Sequence, residues 1–229
     1  MSVIENVEEV YKEIENTLDK INKKKEEITI VAVTKSASLT EAEEIVRAGI
    51  LDIGENRIRE AENKYNYLSP KFSNIKWHLV GHLQTNKVKK AVKIFDLIHS
   101  LDSIKLAEEI NKEAVKINKV QNVLVEVKIS KEDTKYGIDE KEILEFLKQI
   151  EKFDNLIVLG LMAIAPYTDN KEIIEESFEK IKNIFEEAAK VNYKNSKMKY
   201  LSCGMTGDYK EALLKGANML RIGTAFFKK

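Results

Sequence analysis

Ile28-Thr-Ile-Val-Ala-Val-Thr34, followed by Lys35 and then by Glu41-Ala-Glu-Glu-Ile-Val-Arg-Ala48 and Gly49, is the stretch that decides the fold. A compact β-branched run of this kind belongs to a strand covered on both faces. The charged segment after it carries its apolar residues at helical spacing, with Thr40 placed to cap the helix and Gly49 to end it. Strand followed by helix is the unit of a parallel sheet, because a parallel neighbour is reached only through a crossover.

The unit recurs. Apolar runs at 50–53, 75–80, 95–99, 123–129, 156–161, 198–202 and 219–222 predict strands. Amphipathic stretches at 55–68, 85–92, 103–118, 139–151, 171–190 and 208–215 predict the intervening helices. With 28–34 this gives eight strands. Eight alternating units favour closure into a (β/α)8 TIM barrel over an open, doubly wound sheet. Ile4, Val7, Val10, Tyr11, Ile14, Leu18 and Ile21 place an extra amphipathic helix before the first strand. Such a barrel closes in little more than about 200 residues, so residues 1–229 read as one domain. With two prolines and no Pro/Gly-rich linker, no internal boundary is expected.

Lys+Arg and Asp+Glu both number 38, so the basic excess typical of a nucleic-acid partner is missing. Lys23–Lys25 and Lys87–Lys90 read as solvated helical faces. No run approaches the roughly 20 apolar residues of a membrane span, and the amino terminus does not read as a signal peptide. One cysteine, Cys203, excludes an internal disulfide and suits a reducing compartment. A soluble, cytoplasmic protein is expected, with neither membrane nor nucleic acid as partner.

Barrel chemistry sits at the carboxyl ends of the strands. There the chain offers Lys35, Gly54-Glu-Asn56, His78 with Gly81-His-Leu-Gln84, Ser100, Lys128, Met162, Ser202-Cys-Gly-Met-Thr-Gly207 and Arg221-Ile-Gly-Thr224. The two glycine loops follow the seventh and eighth strands, where barrels commonly hold phosphate. Glycine lets the backbone approach an anion, and Thr206 and Thr224 add hydroxyls. Taken singly, each glycine could simply make a turn; the pair at this location favours phosphate. Lys35 emerges from a packed strand, and a desolvated amine is a Schiff-base former. Lys128 has a similar position, and composition does not rank the two. Arg221 reads equally well as a ligand contact or a structural ion pair. His78 and His82 stand four apart, but His99 lies in another unit and no Glu completes a metalloprotease-type helix, so no metal is expected. Cys203 reads as a turn cysteine and Glu55 as a helix-start carboxylate.

Seven ordered segments resemble one family over nearly the entire chain. They are Val31-Ala-Val-Thr-Lys35, Gly54-Glu-Asn56 with Glu60-Ala61, His78-Leu-Val-Gly-His-Leu-Gln-Thr-Asn-Lys87, Lys135-Tyr-Gly137, Gly160-Leu-Met-Ala-Ile164, Leu201-Ser-Cys-Gly-Met-Thr-Gly-Asp208 and Arg221-Ile-Gly-Thr224. The family is the pyridoxal phosphate homeostasis proteins, also called PLP-binding or proline synthase co-transcribed proteins. The resemblance implies a barrel like the alanine racemase amino-terminal domain (fold type III among enzymes using pyridoxal 5′-phosphate, PLP). It ranks Lys35 above Lys128 as the Schiff-base lysine. It also implies that Met205, Thr206, Gly223 and Thr224 hold the phosphate, that Arg221 faces the pyridine nitrogen, and that Asn56 lies near the ring. A guanidinium at that nitrogen disfavours its protonation and weakens the cofactor as an electron sink.

The implied activity is non-catalytic carriage and buffering of PLP, affecting vitamin B6 and amino-acid balance, with PLP-dependent apoenzymes as recipients and a monomer as the working form. Two alternatives are an amino-acid racemase on the same barrel, which would need a second base, and a sugar-phosphate enzyme without PLP. The family loop usually reads Ser-Met-Gly-Met-Ser; here Cys203 and Thr206 depart from it, and Cys203 is expected to add redox sensitivity. The tail Phe226-Phe-Lys-Lys229 lacks the glycine that often follows the arginine loop.

Overall fold

A computed structural model describes residues 2–129 and 136–228; Lys135 of the quoted segments lies outside them. The helix α1 (Val3–Asp19) opens on a reciprocal cap between Ser2 and Glu5. It buries Val3, Val7, Val10, Ile14 and Leu18. It ends sooner than its apolar spacing predicts, because Asn22 at φ 53° turns the chain; Lys23 and Lys24 are therefore not helical.

The strands are β1 (Thr29–Val33), β2 (Asp52–Glu55), β3 (Lys76–Leu79), β4 (Leu97–Leu101), β5 (Gln121–Lys128), β6 (Ile138–Asp139), β7 (Leu156–Met162), β8 (Ser196–Ser202) and β9 (Met219–Ile222). They hydrogen-bond in parallel in the order β4-β3-β2-β1-β9-β8-β7-β5, and β4–β5 pairing closes the ring. The two-residue β6 hangs on β5 outside the ring. The TIM barrel expected from the alternation is thus observed. Around it run α2 (Leu39–Arg47), α3 (Ile58–Leu68), α4 (Val88–Ile94), α5 (Ile104–Lys116), α6 (Ile143–Ile150), α7 (Lys171–Ala189) and α8 (Tyr209–Leu214). Among the described residues no helix follows β9, and α1 fills that place by packing against α8 and α2. Asn6 Nδ2 fastens it there, donating to Phe226 O at 3.1 Å and Lys228 O at 2.9 Å.

Several boundaries differ from expectation, three of them for a visible local reason. Ser38, not Thr40, caps α2: its hydroxyl accepts from Glu41 N while Glu41 Oε2 accepts from Ser38 N. Ile50 and Leu51 precede β2, since Ile50 N donates back to Ile45 O and so belongs to the stop of α2. Asp96 is spent on the β3 edge, accepting from Trp77 N at 2.8 Å, which starts β4 at Leu97.

Two apolar layers result. The larger lies between barrel and helices, and the smaller fills the lumen with Val31, Leu97, Leu124, Met162 and Met219. In β7, Gly160 holds φ 145° where the register to β8 shifts, and a Cβ there would stand 1.9 Å from Tyr200 O. Gly160→Ala should therefore destabilise the protein by about 2–4 kcal/mol, from strain plus a displaced ladder. Urea unfolding midpoints measure this; a change within about 0.5 kcal/mol, the range of neutral surface substitutions, contradicts it.

Candidate functional site

Closure makes neighbours of residues far apart in sequence. Strand β1 lies between β2 and β9, and β8 lies beyond β9. Lys35, Asn56, the Gly223-Thr224 pair and the Met205-Thr206 pair therefore follow four consecutive strands on one rim. Lys128 ends β5 on the far wall, between β4 and β7. Strand topology thus distinguishes the two lysines that composition leaves equal: only Lys35 follows a strand paired with β9, whose end carries Gly223-Thr224.

Those loops are stitched together by Ala225 N donating to Thr206 Oγ1 at 3.3 Å. The β9 loop also closes on β1, since a Cβ on Gly223 would lie 3.1 Å from Val33 O. Among the described residues, the backbone N–H groups of Thr206, Gly207, Gly223 and Thr224 make no hydrogen bond within the protein. Unspent N–H groups on paired loops are able to receive an anion. Met205 does not add a donor, because its N–H is given to Asp208 Oδ1 at 2.6 Å.

Arg221 is buried, pointing from β9 into the lumen. Its Nη1 donates to Ser202 O at 2.7 Å and Ser202 Oγ at 2.8 Å, and its Nη2 to Ala163 O at 3.0 Å. It is held by oxygens of β8 and the loop after β7, and no ion pair to it is found among the described residues. Nε–H and the second Nη2 hydrogen are left over.

Lys35 is exposed in the turn after β1, which corrects the expectation of a desolvated amine. It opens on a groove shared with Ser38, Glu60 and Lys64, whereas Asn56 lines a separate groove with Arg57, Gly81, His82 and Tyr136. The buried lysine of this rim is Lys64. Its Nζ donates to Thr34 O at 2.6 Å and Glu55 Oε1 at 2.7 Å. Glu55 is thus no helix-start carboxylate. It is the fully buried end of β2, also accepting from Thr34 Oγ1, and α3 begins only at Ile58. Burial raises its carboxyl above the usual range, opposed by Lys64 and Thr34. Sequence reading missed this pair, although Glu55 and Lys64 stand nine apart at the ends of a strand–helix joint.

Glu126, also missed, precedes Lys128 by two on the lumen face of β5. Burial, then Asp102, pushes its carboxyl up to about 7 against the pull of Arg221. Cys203 is packed into the core, and burial pushes its thiol up to about 12, which corrects the expected redox sensitivity: thiolate, not thiol, is the reactive form. The histidines form pairs. His78 meets His99 and Asp52; His82 meets Asp102 and stacks on Tyr136 with centroids 3.7 Å apart.

A parallel barrel with a lysine and two glycine loops of unspent N–H groups on consecutive strand ends defines a class, and residues 11–229 match the family model described as alanine racemase, N-terminal domain. A pyridoxal phosphate homeostasis protein of Pasteurella multocida is 33% identical over 99% of this chain and 97% of its own. The chain belongs to the pyridoxal phosphate homeostasis protein family. PipY of Synechococcus elongatus PCC7942, solved with PLP bound, superposes with a TM-score of 0.86 at 27% identity, covering 99% of this chain and 100% of that one. An alanine racemase of Clostridium difficile 630 shares the fold at TM-score 0.77 and 14% identity, covering 98% of this chain and 57% of the racemase.

A carboxyl raised from 4.5 to about 7 binds its proton more tightly folded than unfolded, so its contribution to stability falls as pH rises through that window. Glu126→Gln should remove the fall. At pH 8 the variant should be more stable than the parent by up to about 3 kcal/mol, and at pH 4 by little. Paired urea titrations at the two pH values check this, and an equal difference at both contradicts it.

Proposed function

We propose that this chain is a non-catalytic carrier and buffer of PLP that serves vitamin B6 and amino-acid homeostasis. The observation that carries the reading is the run of four consecutive strand ends, β2, β1, β9 and β8, which bear Asn56, Lys35 and two loops whose N–H groups are unspent. The fit is chemical on each side of the cofactor. Thr206, Gly207, Gly223 and Thr224 supply N–H and hydroxyl donors for a phosphate, with Met205 shaping the loop. Arg221 keeps two N–H groups for a ring nitrogen, and Asn56 flanks the ring from β2. Lys35 Nζ, exposed on a flexible stem, is open to an aldehyde and would hold it as a Schiff base with loss of water.

When bound, PLP offers an electron-withdrawing ring; a neighbouring guanidinium keeps its nitrogen unprotonated and that capacity low, which supports storage over turnover. The racemase reading shares the fold and differs in needing a second base. As a carrier the chain acts as a cytoplasmic monomer that yields PLP to apoenzymes.

After incubation with PLP and reduction with borohydride, the phosphopyridoxyl mass should map to the peptide bearing Lys35 and be absent from Lys35→Ala. Protein that takes up no PLP, or labelling at Lys128, overturns the reading. Alanine racemization should be negligible, and robust turnover favours the racemase. Thr206→Ala combined with Thr224→Ala should weaken PLP retention by about tenfold or more, the weight of hydrogen bonds to a charged group; unchanged affinity in an absorbance titration removes the phosphate assignment.

A further inference from the structure

The lumen holds a polar chain that cofactor binding does not call for. It begins at Asp52, the first residue of β2 on the amino-terminal face, with a side chain 21% exposed. Asp52 Oδ1 lies 2.9 Å from His78 Nε2, His78 Nδ1 lies 3.0 Å from His99 Nε2, and His99 Nδ1 lies 3.3 Å from Ser202 Oγ. Ser202 Oγ accepts from Arg221 Nη1 at 2.8 Å. His78, His99, Ser202 and Arg221 are all buried.

The proton positions follow from the endpoint. Arg221 only donates. Ser202 Oγ, accepting from it, has its own hydrogen to place, and His99 Nδ1 is the acceptor within reach. Burial, with His78 and Arg221 adding to it, holds the His99 pKa well below the usual value, so the ring is neutral with one N–H. That N–H is on Nε2 and donates to His78 Nδ1. His78 then carries its hydrogen on Nε2 and donates to Asp52. One arrangement satisfies every atom. The opposite direction would aim two donors at Ser202 and leave its own hydrogen to find another acceptor.

We propose that Asp52, His78, His99 and Ser202 form a positioning relay with a single donor direction, from Arg221 down to Asp52, which fixes the guanidinium that faces the bound ring. The relay belongs to the chain alone; its consequence for ligand binding rests on the PLP reading above. A carboxylate on one face of the barrel is thereby coupled to a ligand on the other, with coupling carried by side chains in hydrogen-bond contact.

Heteronuclear NMR of the histidine ring nitrogens in the purified full chain tests the relay without cofactor. With three histidines in the chain, His82→Asn isolates the two relevant rings. Both His78 and His99 should be neutral Nε2–H tautomers at neutral pH. Ser202→Ala should move the His99 Nδ1 resonance, and Asp52→Ala should perturb both rings. An Nδ1–H or doubly protonated His99, or an Asp52→Ala effect confined to His78, overturns the proposal. In an absorbance titration Asp52→Ala should weaken PLP binding by about tenfold, the weight of one hydrogen bond. Asp52→Asn, which keeps the acceptor and the fold, should restore both tautomers and affinity. Equal affinity in all three, with the tautomers as expected, overturns the coupling to the ligand. A parent chain that binds no PLP fails the cofactor reading and leaves the tautomer result to judge the relay.

Discussion

Pairing between β4 and β5 gives every strand of the barrel two hydrogen-bonded neighbours, so no edge is left to solvent. Because the strands are parallel, closure also gathers all their carboxyl ends on one rim. The site depends on both consequences. Strand β1 acquires β9 as a neighbour only in the closed ring, and that contact brings the end of β1, just before Lys35, against the Gly223 loop. The buried Lys64–Glu55 pair then marks where β1 stops, with Nζ on the carbonyl of Thr34, the residue before Lys35. Such a pair adds little net stability, because desolvation opposes attraction, but losing either partner strands a buried charge. Its effect here is to end the strand at one defined residue.

The lumen is divided by the same closure. Apolar residues fill part of it, while Arg221, Ser202, His99 and His78 occupy a polar seam among them. A guanidinium with 4% exposure requires oxygen partners. It finds the carbonyls of Ser202 and Ala163 at the ends of β8 and β7. Holding the cation with carbonyls and a hydroxyl leaves its charge unneutralised. That charge remains available at the rim, where Glu126 and the thiol of Cys203 already feel it.

Fold class and most strand positions were legible because buried parallel strands read as apolar runs and amphipathic helices separate them. The slips came where a local signal competed. Ser38 and Thr40 are both good caps, and the reciprocal bond to Glu41 selects Ser38. Glu55 sits where a helix could start, but strand alternation carries it outward to meet Lys64 nine residues later. The glycine loops, Lys35 and Arg221 could be found because the residue after a strand is special in this architecture. The histidine seam could not, since His78 and His99 lie on different strands, and only ring closure brings them to Ser202 on the opposite wall.

The place of α1 bears on how the chain reaches its fold. During synthesis this helix emerges well before the surfaces it covers, α8 and the backbone after β9 that Asn6 grips. Its apolar face, Val3 to Leu18, waits uncovered while the barrel is made. Contacts between the ends of a chain are the slowest to form, because loop closure precedes the reward. The helix therefore docks late although it is made before the barrel, and until it docks the nascent barrel presents a sticky helix that chaperones or neighbouring chains can seize.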